Sequence, residues 1–267
     1  MPLSVLTFNI WNYEGPWTER LSLIRDWIGL LDPDLIGMQE VLLGKSYDQA
    51  AEIFDGLDYY REYSGPMAYW DDPSLQFGNL VASRWPIVET HPVLLPMAGR
   101  GDQRVLLCAS IDSPHGRIPF YTTHLTSKPY DGYIRELQVQ TIGETILSRR
   151  THGDFPAILC GDFNAEPDST EMRYIRGLHS LGGRSLFMLD AWRVAGADGP
   201  GNTFTRQTPY RKYRQFDQRL DYIYLERSAE DVVRIDHCSV VCDVPRKGTY
   251  PSDHLAVYVE LAVAEGE

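Results

Sequence analysis

Short apolar runs recur along the chain, and several of them stop abruptly at one polar side chain. Their length and their content of branched and aromatic residues are typical of buried β-strands. Four such runs end at Asn9, Glu40, His124 and Asp162. Two later runs carry polar residues where they begin, at Asp221 and at Asp253 with His254. The pattern predicts strands that each carry polar chemistry at one end.

Segments with helical spacing lie between these runs. Residues 18–31 predict a helix with Thr18 as its N-cap, because four apolar side chains share one face. Residues 59–72 are aromatic but show no period, so they predict an irregular segment. Further helices are expected within residues 47–54, 133–149, 169–179 and 190–192. Further strands are expected within residues 75–86, 105–111, 118–124, 220–225, 232–241 and 255–261.

The predicted strands outnumber the predicted helices, and they are joined partly by hairpins and partly by helices. No internal repeat, low-complexity tract or long linker interrupts the sequence. Residues 1–267 are therefore interpreted as a single α+β domain. If the strands that begin near Asp221 and His254 run opposite to the others, all the polar strand ends meet at one rim.

The segment of residues 158–167 combines an apolar run with Asp162 and Asn164. Side chains at positions i and i+2 of a strand leave it on the same face, so both would point into one site. An acid beside a neutral amide suits a hydrolytic centre, because one can ready a water while the other orients the atom attacked. A Gly-Asp turn that closes a core strand is an equally good interpretation of this segment alone.

Composition and charge narrow the range of partners. Of the 267 residues, 43% are hydrophobic and 23% are charged, as in an ordinary soluble globular protein. The formal net charge of −12 disfavours a protein that binds mainly by neutralising nucleic-acid phosphates, although a local basic groove stays open. Neither a signal-peptide pattern nor a transmembrane-length run is found, so a cytoplasmic location is predicted. The protein is also expected to be a monomer.

The four cysteines each lie in an apolar run without the paired spacing of a zinc site. They predict buried free thiols. Pairing of Cys238 with Cys242 stays open.

One concentrated basic segment, residues 206–219, stands out in this acidic chain. Its arginines alternate with aromatic residues, which fits either a clamp for an anionic substrate or a solvated loop. The candidate substrate-binding residues in it are Arg206, Arg211, Arg214 and Arg219.

The polar strand ends, if gathered, hold four carboxylates that repel one another unless a positive charge offsets them. A divalent cation is the simplest offset. Glu40, Asn9 and Asp253 offer only oxygen ligands, which favours Mg²⁺, or Mn²⁺, over zinc. His124 and His254 are then free for proton transfer or for contact with an anion. Taken singly, each residue fits a structural polar group better than a catalyst, His124 and Asn9 especially, but their repetition at strand ends favours a site.

The motifs that carry these residues, in their order along the chain, resemble the endonuclease/exonuclease/phosphatase superfamily of DNase I-like metal-dependent phosphoesterases. The resemblance spans nearly the whole chain, through Phe8-Asn9, Gln39-Glu40-Val41, Gly78-Asn79 to Arg84, Thr123-His124-Leu125, Gly161-Asp162-Phe163-Asn164, Arg219-Leu220-Asp221-Tyr222 and Ser252-Asp253-His254. It implies a four-layer α/β/β/α sandwich with the site at one end, between two packed sheets.

The resemblance also implies roles for the individual residues. Glu40 is expected to be the main Mg²⁺ ligand, with Asn9 helping to hold metal or phosphate and Asp253 contacting the metal or its water. Asp162 and Asn164 are expected to position the attacking water and the phosphoryl oxygens. His254, oriented by Asp221, is expected to act as acid/base or phosphate stabiliser, with His124 opposite it on the phosphate. Asn79 and Arg84 are expected to bind substrate.

The sequence departs from the superfamily pattern at Trp11. Branches that resemble abasic-site endonucleases place an acid there, so a second carboxylate from the first strand is missing and the deoxyribonuclease and neutral sphingomyelinase-like branches are favoured. The sequence also offers no identifiable acidic partner for His124.

These observations favour a Mg²⁺-dependent phosphodiesterase acting on a small or lipid-linked substrate. One alternative is a nuclease that cleaves DNA or RNA with residues 206–219 as a backbone clamp. Another is a phosphomonoesterase that uses the same loop. A non-catalytic binding module on the same scaffold is a further hypothesis, which the complete set of polar residues disfavours.

Overall fold

The computed structural model describes residues 2–150, 155–210, 216–227 and 233–264. The strands are β1 (Leu3–Asn9), β2 (Leu35–Gly44), β3 (Tyr60–Ala68), β4 (Leu75–Ser83), β5 (Ile87–Leu95), β6 (Arg104–Ser113), β7 (Gly116–His124), β8 (Ile158–Asp162), β9 (Met188–Asp190), β10 (Asp221–Glu226), β11 (Val233–Val241) and β12 (Ala256–Val263). The helices are α1 (Trp17–Leu31), α2 (Gln49–Ile53), α3 (Gly132–Arg149), α4 (Thr170–Ile175) and α5 (Ala191–Ala195).

Within the described residues the strands form two six-stranded mixed sheets. The first has the order β11-β12-β1-β2-β4-β3, and the second has the order β5-β6-β7-β8-β10-β9. Strand β12 runs antiparallel to β1, and β10 runs antiparallel to β8. The prediction that these two late strands run opposite to the earlier ones is therefore confirmed, and their beginnings lie beside the ends of β1 and β8.

Three apolar layers hold the sheets and helices together. The inner layer lies between the sheets and draws on residues of both, such as Val5 and Ile158. One outer layer packs α1 and α2 on the first sheet, and the other packs α3 and α4 on the second. Burying an aliphatic side chain in such a layer contributes about 1.5–3 kcal/mol. The predicted α+β, four-layer α/β/β/α architecture of the DNase I-like type is confirmed.

The alternation of side chains along the strands explains where polar residues gather. On β8, Ile158 and Cys160 face the inner layer, and Asp162 is the next residue on that face. On β1, Val5 faces the inner layer, and Asn9 continues the same face. The inner face is thus apolar along most of each strand and polar at one end, which places polar side chains between the sheets.

Three strands lie where the sequence did not predict them. Strand β3 occupies much of residues 59–72, expected to be irregular, and β5 and β9 were not anticipated. All three form edges of their sheets. An edge strand is partly exposed on both faces, as the mostly half-buried and exposed residues of β3 show, so it lacks a clean two-residue period.

Two of the predicted boundaries that differ from the structure are the start of α1 and the end of β4. The residue that precedes α1 is Pro16 rather than Thr18, and no side chain caps the helix there. Strand β4 ends at Ser83, before the Pro86 that had been included in it.

Two other expectations concern cysteines and membranes. Cys108, Cys160, Cys238 and Cys242 are buried and free, which confirms the predicted thiols and leaves Cys238 and Cys242 unbonded.

No helix in the described ranges is both long and apolar enough to cross a membrane.

Candidate active site

Asp162, the last residue of β8, lies at the centre of the polar end of the sandwich. Its Oδ2 accepts a 2.9 Å hydrogen bond from Asn9 Nδ2. The same oxygen lies 3.5 Å from His124 Nε2 and 3.7 Å from His254 Nε2. Asp162 is only 1% exposed. The structure therefore brings residues from three other segments to one buried carboxylate oxygen.

Gly161 allows this carboxylate to reach its position. A Cβ on Gly161 would lie 2.0 Å from the carbonyl oxygen of Thr123 on the neighbouring strand, and its φ of +143° favours glycine. The close approach sets β8 beside β7, in the register that places His124 opposite Asp162.

Asn164 reaches the site through a turn rather than through strand alternation. Strand β8 ends at Asp162, and Asn164 has a left-handed φ of 50°. Its backbone N–H donates a 2.8 Å hydrogen bond to Asp162 Oδ1, while its side-chain Nδ2 donates to the carbonyl of Leu125. The same-face prediction was therefore wrong in its geometry, because the chain has already left the strand; the Gly-Asp turn and the polar site coexist.

His254 and Asp221 form a buried pair beside Asp162. His254 Nδ1 lies 2.8 Å from Asp221 Oδ2, so an Nδ1–H donates to that carboxylate and directs Nε2 towards Asp162. The hydroxyl of Thr203 donates to the same Asp221 oxygen at 2.5 Å, and the ring of Phe204 packs on the imidazole. The ring of His254 is thus held in one orientation.

Burial and neighbouring charges shift the pKa values of the two histidines in opposite directions. Burial would lower the pKa of His254, but Asp221 and Asp162 outweigh it and hold that pKa well above its ordinary value. Burial lowers the pKa of His124 well below its ordinary value, and the cations of Arg104 and His254 lower it further. Burial, followed by repulsion from Asp221, raises the pKa of the Asp162 carboxyl to about 7. The imidazolium is the favoured form of His254, because two carboxylates face it, whereas His124 is neutral.

The sequence had suggested that Glu40 ends its strand. Glu40 instead occupies a bulge within β2. Pairing of β2 with β4 shifts register between Met38 and Val41, and Glu40 has a left-handed φ of 62°. Such backbone strain in a non-glycine residue persists only where its surroundings fix it. Asn9 donates to one carboxylate oxygen at 3.2 Å, and Asn12 donates to the other at 3.1 Å.

Glu40 and Asp253 fit a divalent cation. Burial and the neighbouring Asp253 carboxylate raise the pKa of Glu40, and burial raises the pKa of Asp253 as well. A bound cation would relieve this repulsion, and the oxygen donors suit a hard ion. Asn9 turns its amide nitrogen to the carboxylates, because its Oδ1 accepts from the N–H of Trp11 at 3.0 Å. In this orientation the Asn9 amide holds Glu40 and Asp162 in place, and its role in holding metal or phosphate stays a prediction.

Asp162, Asp221 and His254 also come within the spacing of a metal centre, with one ligand atom of each within 4.8 Å of the others. The hydrogen bond between His254 Nδ1 and Asp221 already accounts for this proximity. The proximity of the three groups is therefore explained without a metal ion, and the roles of Glu40 and Asp253 as metal ligands stay predictions.

Arg84 is not brought to the site. Its backbone N–H donates to the carbonyl of Asp34, which in turn bonds Ser4 at the opposite end of β1 from Asn9. Asn9 is five positions along the strand from Ser4, a distance of roughly 16 Å. The guanidinium pairs with Asp32. The prediction that Arg84 binds substrate is therefore wrong.

The basic segment contributes less than the sequence suggested. Arg219 is buried and makes two hydrogen bonds to Asp190, at 3.0 and 2.7 Å, so it is a structural residue and not a substrate ligand. Arg206 is exposed and pairs with Asp217, and its role in binding stays a prediction. Arg211 and Arg214 lie outside the described residues.

Asn79 is close to the site but is engaged elsewhere. It is 2% exposed, and its Nδ2 donates to the carbonyl of Val105 at 3.0 Å. Its contact with substrate stays a prediction.

Trp11, where the superfamily pattern has an acid in some branches, organises the loop after β1. It has a left-handed φ of 54° and stacks on Tyr210 at a centroid distance of 4.7 Å. Because its N–H fixes Asn9 Oδ1, Trp11 orients the amide that holds Glu40 and Asp162.

Arg104 is a site residue that the sequence reasoning missed. It is 8% exposed, and its Nε and Nη1 have no hydrogen-bond partner among the described residues. Burial lowers the pKa of Arg104, and the nearby carboxylates of Glu40 and Asp162 partly offset that shift. Like Asp221, Arg104 begins an apolar run, and that pattern could have revealed it.

Arg20 is a second residue that was missed, and it joins two segments of the site. It is fully buried in α1, and its guanidinium donates to carbonyls of the loop after β1 and, at 3.1 Å, to that of Pro251 before His254. Its signal is a charge four residues before Ile24 on the apolar face of the helix.

His124 Nδ1 has no hydrogen-bond partner within the described ranges. Its Nε2 faces the carboxylate of Asp162 at 3.5 Å, an acidic neighbour that the sequence did not identify.

The sequence of the chain is similar to those of known proteins. The model of the Endonuclease/Exonuclease/phosphatase family matches residues 6–254. The chain belongs to this family. Human nocturnin is 24% identical over an alignment of 263 positions, and the match covers 93% of the chain but 59% of that protein. Xenopus laevis nocturnin is 25% identical over an alignment of 265 positions, and the match covers 93% of the chain and 66% of that protein. The chain thus spans about three-fifths of human nocturnin.

Solved structures share the fold at low sequence identity. D. rerio TDP2 in complex with a single-strand DNA product has a TM-score of 0.77 at 19% identity, covering 98% of the chain and 99% of that structure. The human nocturnin catalytic domain with bound sulfate has a TM-score of 0.73 at 21% identity, covering 98% and 94%. Bacteroides thetaiotaomicron mannosyl-6-phosphatase has a TM-score of 0.74 at 19% identity, covering 97% and 99%.

Proposed function

We propose that the protein is a Mg²⁺-dependent phosphoric ester hydrolase that cleaves a small phosphodiester by in-line attack of water. The observation that carries this proposal is the Asp162 Oδ2 atom, shared by Asn9, His124 and His254 beside the carboxylates of Glu40 and Asp253. Hydrolysis of a phosphodiester needs a group that readies the water, donors for the phosphoryl oxygens and help for the leaving oxygen.

The residues of the chain divide these tasks. Asp162 orients the attacking water and accepts its proton, since its oxygen faces both histidines. Protonated His254, held by Asp221, donates its Nε2 proton to the leaving oxygen as the bond from phosphorus to that oxygen breaks. Neutral His124 donates a hydrogen bond to the phosphoryl group from the opposite side, and Arg104 offers its unpartnered N–H groups to a phosphate oxygen. A Mg²⁺ ion held by Glu40 and Asp253 would neutralise charge on the nonbridging oxygens.

A nuclease or phosphomonoesterase built on the same centre remains the second candidate. TDP2 was solved with a single-strand DNA product, and the Bacteroides protein is a mannosyl-6-phosphatase. The negative net charge still favours a small substrate over a long nucleic acid. The monomeric state and the cytoplasmic location stay predictions.

A substrate panel tests the proposed function. Bis-p-nitrophenyl phosphate, p-nitrophenyl phosphate, plasmid DNA, sphingomyelin and inositol phosphates are each incubated with Mg²⁺ or with EDTA. We expect EDTA-sensitive cleavage of a diester, with the Asp162→Asn protein as blank. Equal rates with EDTA, or hydrolysis of the monoester alone, would contradict the proposal.

Glu40→Gln is expected to weaken the dependence on Mg²⁺, because the neutral amide loses the charge that attracts the cation. The Mg²⁺ concentration for half-maximal activity should rise by at least about tenfold, while kcat at saturating Mg²⁺ falls less. A titration of activity against Mg²⁺ measures both. Glu19→Gln, at an exposed position of α1, is the matched control. A titration curve that coincides with that of the control would show that Glu40 is not the ligand.

A further inference from the structure

A cavity of about 330 Å³ opens directly from the catalytic centre, with Glu40 and His124 in its lining. Three lining residues, which we call the aromatic wall, are Met67, Trp70 and Phe77. The lining also carries the cations of Lys128 and of Arg104, whose guanidinium lies over the Phe77 ring, 5.8 Å from its centroid. A group bonded to a phosphate at the centre would therefore meet both an aromatic surface and positive charge.

Trp70 is the exposed part of the aromatic wall. It is 57% exposed, although it lies beside Tyr69, which is fully buried. The centroid of its ring is 4.6 Å from that of Tyr69 and 5.2 Å from that of Phe77. A large aromatic side chain supported from behind and open towards a cavity is a surface on which a flat ring can stack.

The position of Trp70 is tied to that of Glu40. The hydroxyl of Tyr69 bonds Asn12 Oδ1 at 3.4 Å and Glu14 Oε1 at 3.1 Å. Asn12 in turn donates to Glu40 Oε2 at 3.1 Å. These contacts link the segment that carries Trp70 to the candidate metal ligand, and the ring of Trp70 packs on Tyr69 in that segment.

The size and charge of the cavity distinguish between two kinds of substituent. Ligand pockets span roughly 300–1,000 Å³, and this cavity is at the small end of that range. Four of its lining residues are charged, namely Glu40, Asp102, Arg104 and Lys128. A long acyl chain needs a larger and more apolar groove. A single planar, polar ring fits both properties.

We propose that Trp70 is a specificity-determining residue that stacks on a nucleobase, and that the substrates are nucleoside phosphates with their phosphate at the Asp162 centre. This inference rests on the proposed function for the location of the phosphate. It narrows the small or lipid-linked substrates expected from the sequence to those that carry a base.

The test compares two ligands that differ only by the base. Binding of adenosine 5′-monophosphate and of ribose 5-phosphate is measured by calorimetry in the presence of Mg²⁺, so that the result does not depend on turnover. Stacking of one base should make the nucleotide bind at least about fivefold more tightly. The ratio of interest is the Kd of ribose 5-phosphate divided by that of adenosine 5′-monophosphate. Trp70→Leu should bring this ratio close to one, whereas Trp70→Phe should retain most of it. Tyr60→Ala, 52% exposed at the far end of β3, is the control and should leave the ratio unchanged.

The outcomes separate this inference from the proposed function. A wild-type ratio near one, together with hydrolysis of bis-p-nitrophenyl phosphate, overturns the role of Trp70 and leaves the hydrolase standing. A high ratio without hydrolysis of any phosphoester supports the stacking site and overturns the hydrolase. If the ratio stays high in Trp70→Leu, stacking on Trp70 is not what recognises the base, and the inference is overturned.

Discussion

Asp162→Asn is expected to lower kcat by roughly two orders of magnitude or more, with little change in the fold. The asparagine keeps an oxygen that can accept from Asn9, so the hydrogen-bonded frame survives. It cannot take a proton from water, and it removes the negative charge that faces both histidines. Steady-state kinetics on the diester found in the substrate panel measure the loss, and circular dichroism and thermal melting check the fold.

The matched control for this variant is Asp168→Asn, which makes the same chemical change at an exposed position six residues later. We expect it to have the activity of the wild type. If Asp162→Asn retained wild-type rates, the centre would not activate water through this carboxylate and the proposed mechanism would be wrong.

The fold was predictable from the sequence wherever a strand lies inside a sheet. The central strands β1, β7 and β8 have continuous apolar runs because both faces are buried, between the sheets and beneath the helices. The edge strands β3 and β5 were missed, since one exposed edge and partly solvated faces leave no regular pattern, whereas β9 is buried but only three residues long. Tertiary pairing, and not local preference, makes these segments extended.

The site was predictable to the extent that it continues the inner face of central strands. Asn9, His124 and Asp162 follow apolar residues on that face, so their convergence could be inferred from strand ends. Glu40 was found by motif, although its bulge could not be predicted because register is a property of two strands. Arg84 follows a strand too, but β4 runs antiparallel to β2, so its end lies at the opposite rim.

Residues that act through distant partners left little trace in the sequence. Arg20 bonds the carbonyl of Pro251, which is 231 positions away, and Tyr69 reaches Asn12 across 57 positions. Each is a lone polar group in an apolar or irregular segment, a pattern that many structural residues share. Only the fold reveals that these contacts hold the Glu40 and His254 segments together.

His254→Ala is expected to reduce kcat by about two orders of magnitude or more, because it removes the donor that Asp221 aims at the centre. Asp221→Asn should cost less, since the imidazole stays in place and loses only its charged partner. The double variant should be no slower than His254→Ala alone, because Asp221 acts through His254 and the two effects do not add. Kinetics of the three variants, with His179→Ala at an exposed position as the control, measure this relation. Additive losses would show that Asp221 contacts substrate or metal directly and would reassign it from positioning the histidine to binding.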